Sequence, residues 1–80
     1  MGMALMCTVT VNGTVSGVPI VDLQVSVPTS RTGLISPTIP LGGVLGDVVL
    51  VNIPCPTVED IQVQIGTLAS LTVRVTETMR

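Results

Sequence analysis

The sequence predicts an all-β protein, a small antiparallel sandwich or barrel of about six strands with a Pro/Gly-rich apolar loop. Three observations lead there. Leu5, Cys7, Val9 and Val11 alternate with Met6, Thr8 and Thr10, the period-2 signature of a half-buried strand, and the pattern recurs near the other end of the chain. Asn12-Gly13 follows that first segment as a short-range hairpin signal. Gly13, Gly17 and Pro19 break any helix in the first quarter of the chain, and Pro28, Pro54 and Pro56 close later segments. With 80 residues, the chain is one domain spanning residues 1–80.

The elements follow in order. Asn12 and Gly13 are expected to make a type I′ turn, since both accept positive φ, with Thr14–Val18 as the returning strand. Leu23, Val25 and Val27 against Asp22, Gln24 and Ser26 give a third strand, closed by Pro28. Residues 28–46 hold Pro28, Pro37, Pro40, Gly33, Gly42, Gly43 and Gly46, and are read as irregular. The same segment carries Leu34, Ile35, Ile39, Leu41, Val44 and Leu45, the candidate interface residues: an apolar arm docking on a neighbour, or a lid over one end of its own sheet. Asp47–Ile53 is almost continuously apolar and is expected to be the central strand, covered on both faces. In 57–65, Thr57 with Asp60 suggests a helix start, but Ile61, Val63 and Ile65 alternating with Gln62 and Gln64 favour a strand. A turn at Gly66–Ser70 leads to a last strand, with Leu71, Val73 and Val75 opposite Thr72, Arg74 and Thr76.

Composition excludes several classes of function. There is no His, Lys or Tyr, which removes most side chains used for proton transfer near neutral pH, so no enzyme is expected. Cys7 and Cys55 have no imidazole to activate them or to complete a zinc site, and no cofactor is expected. Two cysteines make no disulfide framework, and Cys55 between Pro54 and Pro56 is stiffly held, so free buried thiols are the favoured reading. Asp22, Asp47, Glu59, Asp60 and Glu77 suit solvated edges and caps better than a cation site. Three arginines (Arg31, Arg74, Arg80), a net charge of −2 and no aromatic residue argue against nucleic acid. Polar residues and breakers interrupt each uncharged stretch, so no membrane span is read, and with no basic start before an apolar run the expected place of synthesis and use is the cytoplasm.

The same composition points to association. Apolar residues are 46% of the chain while charged ones are 10%, against about 25% in ordinary soluble domains, so the surface holds too few charges to cover it. A core of Val, Leu, Ile and Met without aromatics leaves an isolated monomer near break-even. Without Lys, exposed strand edges lack their commonest guard. Copies of the chain or other partners are expected to cover this surface.

Gly46-Asp47-Val48-Val49-Leu50-Val51-Asn52, followed by Pro54 and by Ser70-Leu71-Thr72-Val73-Arg74-Val75-Thr76, resembles small β-rich proteins encoded among bacteriophage virion genes, over roughly the C-terminal half. The resemblance implies a structural virion component of the capsid decoration, cement or head-fibre type. Such proteins often form trimers, and the partners implied are further copies and the major capsid or another virion protein, after assembly in the host cytoplasm. The chain lacks the longer polar C-terminal hairpin associated with that group. A self-assembling filament or tube subunit and an adhesion-type β-sandwich module are the alternatives.

Overall fold

The computed structural model describes residues 5–29, 31–43 and 45–79, and every regular element among them is a β-strand. The strands are β1 (Leu5–Val15), β2 (Val18–Pro28), β3 (Leu34–Ile35), β4 (Thr38–Gly42), β5 (Gly46–Val49), β6 (Ile53–Pro54), β7 (Ile61–Ile65) and β8 (Ala69–Met79). All pairings are antiparallel. A four-stranded sheet runs in the order β2-β1-β8-β7, and β3 with β6 and β4 with β5 form two-stranded ribbons. At roughly 3.3 Å per residue, the strands β1, β2 and β8, each of 11 residues, account for the long axis of a 45 × 20 × 18 Å molecule. No helix among the described residues is long and apolar enough to cross a membrane.

Period-2 alternation sets the two faces of the large sheet. Cys7, Val9 and Val11 of β1 and Leu71, Val73 and Val75 of β8 are fully buried, and Val9 stands beside Val75 on one side and Val25 on the other. Leu23, Val25 and Val27 of β2 and Ile61, Val63 and Ile65 of β7 continue this apolar face outward, half-buried. Thr8, Thr10, Gln24, Ser26, Gln62, Arg74 and Thr76 point the other way. Ile35, Ile39, Leu50, Ile53 and Cys55, from the ribbons and their connections, complete the same core. No polar or charged side chain is buried among the described residues.

The structure corrects several sequence expectations. Asn12-Gly13 is not a turn: β1 passes straight through it, and the hairpin closes at Ser16-Gly17, whose φ values of 50° and 80° meet the type I′ requirement. Of the expected returning strand, Thr14 and Val15 end β1, Ser16 and Gly17 make the turn, and only Val18 belongs to β2, which also takes in the expected third strand. At Asn12 the β1–β2 register jumps from Val11↔Leu23 to Gly13↔Ile20, and the Asp22 N–H, at a positive φ of 49°, donates to Asn12 Oδ1 at 2.8 Å. The Asn-Gly pair serves a β-bulge, which draws on the same backbone freedom as a turn.

The segment 28–46 is not irregular throughout, since it contains β3, β4 and the start of β5. Ile35, Pro37, Ile39 and Leu41 turn inward while Leu34, Ser36, Thr38 and Pro40 turn outward. Pro40 fits because β4 belongs to a two-stranded ribbon, where only one side of the strand is paired. Nor is Asp47–Ile53 the central strand; β1 and β8 hold the middle of the large sheet, and the segment is split between β5 and β6. Among the described residues the strands number eight rather than about six, because the arm contributes short pairs. The strand reading of 57–65 holds for Ile61–Ile65, while residues 57–60 before it belong to no strand.

The cysteines are not free thiols. Cys7 and Cys55 form a disulfide, with Cα atoms 6.3 Å apart. The stiffness of Pro54-Cys55-Pro56 aims the sulfur instead of hindering it: the Cys55 N–H bonds to the Gly33 carbonyl at 2.9 Å, and Thr57 is pinned to Val75 by its own N–H at 3.1 Å and by its Oγ1, which accepts from the Val75 N–H at 3.0 Å. Closing a loop over a sequence separation of 48 stabilises the fold by about 4 kcal/mol in the chain-entropy view.

Gly13 has a φ of 148°, and a Cβ there would run into the Ser70 carbonyl oxygen and lie 2.8 Å from Leu71 Cα. Gly17 opens onto free space. Gly13→Ala is therefore expected to destabilise by at least about 2 kcal/mol and Gly17→Ala by about 1 kcal/mol, measured by chemical denaturation. Equal effects at the two sites would contradict the close-approach role of Gly13.

Candidate docking surface

The segment from Gly33 to Pro54 is built as a cover with two different sides. Its inward side chains enter the core, and the backbone is tied down by the Leu50 N–H to the Pro37 carbonyl (2.9 Å) and by the Cys55 bond to Gly33. Its outward side presents Leu34, Val49 and Val51, the last two 57% and 64% exposed. Asp47 is the one charged residue between Arg31 and Glu59 in the sequence. The outer surface thus mixes these apolar residues with uncharged polar ones such as Ser36, Thr38 and Asn52, carries almost no charge, and sits on a braced backbone.

The six candidate interface residues fall into different places. Ile35 and Ile39 are buried in the protein's own core, and Leu41 and Leu45 are half-buried against it. Leu34 is exposed, and Val44 lies outside the described residues. Val49 and Val51, assigned from sequence to a doubly covered strand, join Leu34 on the exposed side. The missed signal was the alternation Ile35-Pro37-Ile39-Leu41, which prolines disguise because they are counted as breakers.

A cleft of about 600 Å³ is bordered by Thr57, Val58, Glu59, Asp60, Arg74 and Glu77. Arg74 grips Asp60 with two hydrogen bonds, Nε to Oδ1 at 2.8 Å and Nη2 to Oδ2 at 3.2 Å. These bonds hold the Asp60 carboxyl below its ordinary pKa against the opposing effect of desolvation, and the same contact raises that of Arg74. Asp60 therefore stays ionised and offers no proton near neutral pH. No group of three or more His, Cys, Asp or Glu side chains among the described residues is placed to hold a metal ion.

No protein-family model matches the chain, and neither a curated protein nor a solved structure shows significant similarity to it.

The Arg74–Asp60 pair gives a pH expectation with a definite sign. A carboxyl whose folded pKa is lowered contributes stability above its ordinary pKa, about 4, and loses it as pH falls through the lower folded value. Calorimetry of the native protein and Asp60→Asn is expected to show a small gap in Tm, as suits an exposed pair, constant between about pH 5 and 8 and closing below about pH 4. A gap unchanged at about pH 2 would contradict the assignment.

Proposed function

We propose that the protein is a non-catalytic structural component of a bacteriophage particle, a capsid decoration or cement protein that acts as a homo-oligomer and docks on the major capsid or another virion protein. The observation that carries this reading is the outer side of the cover, where Leu34, Val49 and Val51 stand exposed on a backbone fixed from behind by the core. Fully burying such a side chain is worth about 1.5 to 3 kcal/mol, so three of them can hold a subunit in place with almost no charge. A braced surface also loses little entropy on docking.

Two further features support it. The resemblance of Gly46–Asn52 and Ser70–Thr76 to phage virion proteins covers the cover's second half and the central strand β8. The Cys7–Cys55 disulfide suits the outside of a released particle, since disulfides persist in oxidising surroundings. In this reading the four-stranded sheet and the two ribbons over it are the layers of a small sandwich.

The experiment separates docking from folding. Leu34→Asp combined with Val51→Asp is expected to keep the β circular dichroism spectrum while native mass spectrometry shows smaller assemblies, whereas Ile39→Asp is expected to lose the β spectrum itself. An unchanged assembly mass in the paired variant would contradict the docking surface.

A further inference from the structure

The large sheet ends in two free edges that are built differently. On β2, Pro19 and Pro28 have no N–H to offer, Asp22 places a charge on the edge, and the bulge at Asn12 and Asp22 breaks the register. These are the usual guards against pairing with another chain. On β7, Ile61-Gln62-Val63-Gln64-Ile65 contains no Pro, Gly or charge, and its register with β8 is unbroken over all five residues. No strand pairs with its outer side among the described residues. In an antiparallel ladder alternate residues direct both N–H and C=O to one side, so β7 offers unpaired groups outward. The apolar face also runs out here: Leu71 and Val73 are fully buried, while their neighbours Val63 and Ile61 are only half-buried.

We propose that β7 is a self-pairing edge, joining two copies antiparallel about a two-fold axis at Val63 into one continuous eight-stranded sheet. The chain around Val63 is self-complementary in that register. Ile61 of each copy meets Ile65 of the other, Val63 meets its own counterpart, and Gln62 faces Gln64 on the polar side. Val58, in the bend before β7, and Leu68, in the turn after it, are large apolar residues left 99% and 43% exposed at the two ends of this edge. Asp60 is matched with Gly66, so no like charges are brought together. Because β2 is guarded, the head-to-tail β2–β7 pairing that would propagate a filament is blocked, and the contact closes at two copies. The proposal does not depend on the docking reading, which uses other residues.

The test is a charge pattern on the exposed positions Gln62 and Gln64. In the proposed register, Gln62→Lys with Gln64→Lys sets like charges against each other twice per pair of copies, whereas Gln62→Lys with Gln64→Glu sets opposite charges there. Sedimentation equilibrium of the wild type is expected to show a concentration-dependent species of two copies of the 8.2 kDa chain, or an even multiple of it. The double-lysine protein is expected to lose this pairing by at least about tenfold in association constant, with its circular dichroism unchanged, and the Lys/Glu protein to recover it and to weaken with added salt. A wild type that stays monomeric to millimolar concentration, or a double-lysine protein that keeps the wild-type mass, would overturn the edge. A Lys/Glu protein that fails to recover pairing would overturn the register.

Discussion

The Cys7–Cys55 bridge is the constraint on which the other contacts depend, because it ties the interior strand β1 to the far end of the cover laid over the sheet. The core beneath it is made of small units. Valines dominate the buried set, with no aromatic ring to fill space, and each contributes about 1.5 to 3 kcal/mol at most. The ribbons add few hydrogen bonds of their own, since β3 and β6 have two residues each. Fixing Cys55 to Cys7 confines Ile35, Ile39, Leu50 and Ile53 to the neighbourhood of Val9, Val11 and Val73, so that their burial need not overcome the entropy of a freely moving segment.

How much of this the sequence reveals depends on whether a local pattern has one physical cause. The alternations around Cys7–Val11 and Leu71–Val75 were legible because polar Thr residues mark the solvent side, and Ile61–Ile65 because Gln residues do the same. Asn12-Gly13 misled because positive φ serves bulges and turns alike, and the turn itself sits a few residues on at Ser16-Gly17. The disulfide left no trace in sequence, as two cysteines 48 residues apart carry no spacing signal. The almost continuously apolar segment Asp47–Ile53 implies cover on both faces, yet within the chain Leu50 and Ile53 are buried while Val49 and Val51 are exposed. That difference is what marks the outer side of the cover as a docking surface in the function proposed.

The two faces of the molecule thus divide their work. One side of the large sheet is polar, built from Thr, Ser and Gln with the Arg74–Asp60 pair. The opposite side is apolar and packs with Ile35, Ile39, Leu50 and Ile53 of the ribbon segment, whose outer surface carries exposed Leu34, Val49 and Val51 among uncharged polar residues. The low overall charge suits the proposed docking, since a surface that meets protein rather than water has less use for charged residues.

Native-state hydrogen exchange with and without reductant tests the central claim most directly. With the disulfide intact, the amides of Leu50 and Cys55, bonded to the Pro37 and Gly33 carbonyls, should be protected almost as strongly as those of Val9 and Val73. After reduction they should lose protection by two orders of magnitude or more, consistent with about 4 kcal/mol of stabilisation. Unchanged protection of Leu50 and Cys55 after complete reduction would show that the cover holds itself in place, and would contradict the account.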